Sequence, residues 1–297
     1  LLKGLEEFGQ TYRRPIESDT PELLAALQKQ KETIEPQTLR RTKAHIASEL
    51  PLKLFAHAKL NDALQFVPDL KDDMRLEIAM SDHQVALYRG GLKRLQEANE
   101  ERDGRRRSLL SFEAFHLMKA VCAEPYCVPG KKFLVDERGI DVHLLNSRKM
   151  AWFLSTLKQI RDSTNGDKVI IFTEIREIQL ALAYFIRQTF GLKPFTINGD
   201  TEGRQGYIDR FTQSDGFNVI ILSTLAAGAG LNVTAANHVF HFTRAWNPAK
   251  EDQATDRAYR MGQTKNVFVY CPTMVTDAFP TFEVRLDDML KQKAKLA

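Results

Sequence analysis

Hydrophobic and polar positions follow different rhythms in the two halves of this chain, and the change falls near Ser147. Beyond it, short apolar runs recur: Lys168-Val169-Ile170-Ile171-Phe172-Thr173, Pro194–Ile197, Asn218–Leu222, His238–Phe242 and Val267–Cys271. Runs rich in β-branched residues, with no polar alternation, predict strands buried on both faces. Between them Met150–Ile160, Glu177–Phe190, Gln205–Gln213 and Pro248–Tyr259 read as amphipathic helices. Gly191 fits a left-handed C-terminal cap, and Asn247-Pro248 a cap and first turn. Strands separated by such helices make right-handed crossovers, so residues 147–297 are expected to form a three-layer α/β domain with a parallel sheet.

Residues 51–146 read as mostly helical with irregular insertions, preceded by a helical linker over 1–50. Thr20-Pro21 looks like a helix start, and Ala44–Leu50 a helix stopped by Pro51. Arg75–Met80 alternates as a short strand would, and Gln84–Gln96 is helical despite Gly90-Gly91. The run Glu100–Arg107 reads as a solvated loop or face, and Phe133–Val142 as a small hairpin.

Composition narrows the class. At 297 residues and 43% hydrophobic, the chain has apolar material for a real core, which excludes a disordered chain. Its 42 basic against 38 acidic residues leave a net charge of only +4, so local clustering must decide any nucleic-acid partner. Three cysteines are too few for a disulfide framework and fit a reducing compartment. No apolar run approaches the ~18–20 residues of a membrane-spanning helix. The chain begins at Leu1, as a segment of something longer would.

In a parallel sheet, ligands bind beyond the carboxyl ends of the strands. The loops there are Thr173–Ile175, Asn198–Arg204, Ser223–Asn232 and Thr243–Pro248, all rich in small or polar residues. Gln253, Arg257 and Arg260 follow at i, i+4 and i+7, the spacing of one helical face. Spacing alone leaves two readings: a phosphate clamp of guanidinium forks, or a solvated face with pairs such as Asp256 and Arg260. No Gly-x-x-x-x-Gly-Lys-Ser/Thr occurs, and no strand ends in paired acids suited to Mg²⁺. Efficient ATP hydrolysis needs both, so a second domain is expected to supply them. Cys122, Cys127 and His116 fit no common zinc spacing. His57, His83, His143, His238 and His241 form no constellation visible in sequence.

The order of motifs resembles the second motor lobe of the SWI/SNF-related ATPases, a branch of the superfamily-two helicase-like DNA translocases. Leu222-Ser223-Thr224 through Gly228-Ala229-Gly230-Leu231-Asn232-Val233-Thr234 is similar to that family's loop after a core strand. Trp246-Asn247-Pro248, Gln253 and Asp256-Arg257-Ala258-Tyr259-Arg260-Met261-Gly262-Gln263 resemble its most specific element. Leu39–Lys43, Ser81–Tyr88 and Leu117–Pro125 match further segments upstream. Departures are Ala227 for a glycine, Glu124 for a histidine, and His241–Arg244 for a segment that usually carries an acid. Residues 54–71 and 127–143 are longer than the family minimum.

The resemblance implies a RecA-like fold and a division of labour. A first lobe, outside this chain, would hold ATP and Mg²⁺, and this lobe would close over them and be inactive alone. Arg257 and Arg260 are then arginine fingers, Gln253 positions the clamp or water, and Gly228, Gly230 and Asn232 approach the nucleotide. Thr173, Gly199, Asp200, Ser223 and Thr224 would track the backbone of double-stranded DNA. Arg204, Lys53, Arg40, Arg41 and Lys43 would add screened charge, and Trp246 would lie against the duplex or pack in the core. A noncatalytic duplex-docking module with a vestigial nucleotide face is the alternative. The implied setting is the bacterial cytoplasm and nucleoid, or the nucleus in a eukaryote.

Overall fold

A computed structural model describes residues 28, 50–71, 73–127, 133–163, 165–224 and 230–295. The helices expected from Pro21 and Ala44, the 1–50 linker, and Arg40, Arg41, Lys43 and Gly228 thus lie outside the described residues. The chain divides after Glu49 into two units, and the elements below belong to the second.

They run β1 (Lys53–His57), β2 (Gln65–Val67), β3 (Leu76–Ala79), α1 (Asp82–Glu100), α2 (Gly104–Ala123), α3 (Ile140–Asn146) and α4 (Arg148–Asp162). There follow β4 (Lys168–Phe172), α5 (Arg176–Phe190), β5 (Phe195–Ile197), α6 (Arg204–Gln213), β6 (Asn218–Leu222), β7 (His238–His241) and α7 (Pro248–Thr255). The series closes with β8 (Val267–Tyr270), β9 (Pro272–Val275) and α8 (Phe282–Lys295).

A seven-stranded sheet has the order β2-β1-β8-β7-β4-β6-β5, and β3 pairs with β9 in a separate two-stranded sheet. Within the large sheet only β2 is antiparallel. Strand β4 is buried along its whole length, and alternate residues serve opposite faces. Val169 and Ile171 pack with α4 and α5 through Phe153, Leu157, Leu182 and Phe185. Ile170 and Phe172 pack with Ile208 and Phe211 of α6, Leu231, Val233, and Ala254 of α7. Two helical layers therefore enclose the sheet, as expected of the α/β part. A third core joins the α1–α2 hairpin to α8 through Tyr88, Met118, Leu286 and Leu290.

Three local expectations are corrected. Residues 51–67 are not helical, since β1 pairs in parallel with β8, and Lys53 stands opposite Val267. Residues 133–142 form no hairpin: the Gly139 N–H bonds to Asp136 O at 2.9 Å, closing a turn from which α3 starts. Helix α7 stops at Thr255, four residues early. The N–H groups of Ala258 and Tyr259 both donate to Thr255 O at 3.0 Å, tightening the chain into turns.

Candidate functional site

Shortening α7 changes the arginine geometry. Gln253 is exposed on the helix, Arg257 turns inward to 8% exposure, and Arg260 faces solvent from the following turn. The three do not form one helical stripe. Arg257 is instead held by the loop after β6: Val233 N–H donates to Arg257 O at 2.9 Å, and Arg257 Nη1 donates to Leu231 O at a long 3.5 Å. Its Nε is buried with no partner among the described residues. Burial, then the like charge of Arg260, lowers the Arg257 pKa, with Asp256 opposing.

Gly230 and Asn232 are exposed beside this guanidinium. Gly230 has φ of 76°, a left-handed conformation in which a side chain is strained. Gln263 closes the segment from behind, its Nε2 donating toward the carbonyls of Thr234 (3.0 Å), Ala236 (2.8 Å) and Ala258 (3.2 Å). Motifs separated in sequence thus meet around one underused cation.

A second group of candidates sits at the ends of β7, β4, β6 and β5, neighbours in that order. Thr243, Thr173, Ser223 and Gly199 follow them as a row. Most of its hydroxyls are committed internally. Thr173 is fully buried, and the Thr243 hydroxyl donates to its oxygen at 3.0 Å. Thr224 donates to the Glu174 carboxylate, and Ser223, like Thr224, is buried. Gly199, Asp200 and Trp246 are the exposed members of this group. Asp200 is ion-paired with Arg176. Arg204 folds back on its own loop, donating to Thr201 O at 3.0 Å and Gly199 O at 2.6 Å.

Trp246 is 51% exposed, one edge packed on Phe282 with ring centroids 5.1 Å apart. It borders a cleft of about 940 Å³ between α2 and the end of β4, together with Phe112, Phe115, Lys119 and Arg176. Lys53 is not brought to this row. It sits at the start of β1, its ammonium 5.6 Å from the ring centroid of Tyr259, near the arginine segment.

Comparison with known proteins places the chain in a family. Residues 149–262 match the family described as "Helicase conserved C-terminal domain". The Zorya protein ZorD of Escherichia coli O139:H28 is 41% identical over 305 residues, which cover 100% of this chain and 26% of that protein. The putative ATP-dependent helicase/translocase YwqA of Bacillus subtilis is 31% identical over 300 residues, covering 99% and 29%. The SWI2/SNF2 ATPase core of Sulfolobus solfataricus in complex with double-stranded DNA superposes with a TM-score of 0.63 at 27% identity, covering 99% of this chain and 55% of that one. The chain carries the C-terminal RecA-like lobe of a SNF2-like helicase. It spans little more than a quarter of the length of these two curated relatives.

Some residues that shape the lobe's site are not among those singled out from its sequence. Gln179 holds the end of β4 by donating to Thr173 O at 2.9 Å. Arg244, noted above only as a departure, is half-buried against a bidentate Glu251 (2.7 and 2.9 Å from its Nε) and Asp287 of α8 (2.8 Å). Glu251 also accepts Ala245 N–H at 2.9 Å, so this cluster fastens the start of α7 to the C-terminal helix of the lobe. The signal that could have pointed here is Arg244 and Glu251 flanking the cap of the helix that leads to Arg257.

Proposed function

We propose that this lobe belongs to an ATP-dependent translocase acting on double-stranded DNA, and that Arg257, with Arg260 beside it, serves as its arginine finger. The observation that carries this reading is the Arg257 guanidinium, buried beside a left-handed glycine, with an Nε that has no partner among the described residues. A buried, unsatisfied cationic donor is costly in isolation, and a phosphate oxygen would satisfy it. The residues therefore fit a nucleotide presented from across a cleft. ATP, held with Mg²⁺ by an N-terminal lobe, would supply the phosphoryl group.

Within this chain, Arg257 and Arg260 offset negative charge developing on the transferring group, an effect worth about 10³–10⁵ in rate for arginine fingers. Gly230 and Asn232 lie at the approach to Arg257, and the exposed Gln253 orients the clamp or water. Without the N-terminal lobe these residues have no metal-bound phosphate to act on, so the isolated lobe is inactive.

The exposed end of the strand row supports a backbone grip on duplex DNA. Gly199 offers main chain, the Arg204 guanidinium adds charge to that loop, and Trp246 presents a half-open ring. Thr173, Ser223 and Thr224 shape the row from beneath. Such a grip reads phosphate without sequence and weakens with salt.

The test is duplex-stimulated ATP hydrolysis by the intact parent polypeptide. Arg257→Ala is expected to lower kcat by about 10³ or more with the melting temperature preserved, and Arg260→Ala to lower it as well. Wild-type turnover in Arg257→Ala would remove the finger role.

A further inference from the structure

We propose that His241 is a positioning residue that ties the strand-end row to Arg257 through the hydroxyl of Thr255. The inference rests on the role assigned to Arg257 above and adds to it the route by which the strand-end row governs that arginine.

His241 is the last residue of β7, in register with Phe172 of β4. Its ring stacks on Phe172, centroids 5.4 Å apart and planes 21° from parallel. The next residue after Phe172 is Thr173, whose oxygen accepts from Thr243, two residues past His241. Both strands that flank the ring thus end in the row.

From the opposite side, His241 Nε2 lies 2.8 Å from Thr255 Oγ1. Thr255 ends α7, and its carbonyl receives the N–H groups of Ala258 and Tyr259, each at 3.0 Å. Those two bonds close the turn that holds Arg257, whose own N–H donates to Ala254 O at 3.1 Å. Thr255 is therefore held by its side chain and holds the arginine turn by its main chain.

Phe172, His241 and Thr255 are exposed by 0%, 1% and 4%, so a shift at one must move the next, because packed interiors deform little. A residue that only filled this space would be aliphatic. Histidine leaves Nδ1 buried with no partner among the described residues, a cost that a purely packing role does not justify. The nearby charges, Arg244 and Glu251, are paired with each other, and among the described residues the ring bonds to Thr255 alone.

The experiment compares His241→Ile, Thr255→Val, the double variant and His241→Gln in the intact parent polypeptide, with ATP turnover measured on a 30-base-pair duplex. Each single variant is expected to lower kcat about tenfold, the effect of one lost hydrogen bond on placement, while KM for ATP and the half-saturating DNA concentration stay within about twofold. The double variant should be no worse than either single, since both remove one bond. Glutamine, whose amide nitrogen reaches the Nε2 position, should restore most of the loss. Losses that multiply, or a soluble Thr255→Val with wild-type kcat, would overturn the proposal. Thr255→Val changes one hydroxyl for a methyl and carries the test if His241→Ile does not fold. Arg257→Ala measured alongside separates the two readings: if it loses turnover while Thr255→Val does not, only the coupling fails, and if it keeps turnover, the finger role fails first.

Discussion

At neutral pH the His241 ring carries no charge, because full burial pushes its pKa down to about 4 from an ordinary value of 6.5. Glu251 pulls the other way and Arg244 adds to the depression. The unfolded ring binds a proton near 6.5 and the folded one only near 4. Stability from the neutral ring is thus complete above the higher value and is lost progressively as pH falls through the lower, by about 3 kcal/mol in all. Urea midpoints at pH 7 and pH 4.5 should fall further for the wild type than for His241→Gln, which does not titrate, and equal falls would contradict this account. Residues of this kind explain what sequence could and could not disclose. Arg257 and Gly230 could be singled out because each lies in a distinctive local run, but the contact that joins their segments is made only in the fold. Thr243 and Thr173, which complete each other 70 residues apart, were not, nor was the burial that turns Thr173 away from solvent.

Among the elements, the α1–α2 hairpin offers a sharp internal contrast. Gly90 and Gly91 both reduce helix propensity, yet α1 runs through them from a capping box at Ser81 to Glu100. A Cβ on Gly91 would lie 2.7 Å from Met118 Cγ of α2, whereas one on Gly90 would meet nothing within 4 Å. Gly90→Ala should therefore stabilise by about 0.5–1 kcal/mol through helix propensity alone. Gly91→Ala gains the same but forces a buried neighbour to move, so it should destabilise by about 1–2 kcal/mol net. Thermal melts of the two variants should move in opposite directions. Strands β4 to β8 and helices α4, α5 and α6 were legible to within a residue or two, because a fully apolar run or a 3.6 period is a local signal, whereas α2, α3, α8 and β9 were not read as elements. The end of α7 was not, because Asp256–Arg260 keeps helical spacing while Thr255 O gathers the turn. The 133–142 segment was misread because its turn is set by Asp136 and Gly139 and stabilised by His143, whose Nδ1 accepts Asp136 N–H at 3.1 Å.

For the molecule as a whole, ion pairs inside the fold fasten distant segments. Lys149 of α4 donates to Glu283 of α8 at 2.5 Å and to Phe242 O at 3.3 Å, and Glu283 also accepts Met274 N–H at 2.8 Å. Both side chains are buried, so Glu283→Ala strands an ammonium and should cost about 3–5 kcal/mol in urea unfolding. Lys149→Met combined with Glu283→Leu should recover much of that loss, which a simple packing defect would not allow. Such pairings between segments far apart in the chain, like the insertion of β1 beside β8, are where reading from sequence ended: each strand is recognisable only once its partner is known.

The β1–β8 pairing also bears on how the polypeptide is made. Leu52 N–H reaches its partner, Asn266 Oδ1, across 214 residues. At bacterial or eukaryotic elongation speeds of about 5–20 residues per second, β1 waits on the ribosome for about 10–40 s before β8 has even been polymerised. During that interval β1 has only β2 beside it, and its other edge stays open to chaperones or to mispairing with another chain. Stalled translation products of increasing length should show protease cleavage near residue 55 until β8 has cleared the exit tunnel, and protection only afterwards.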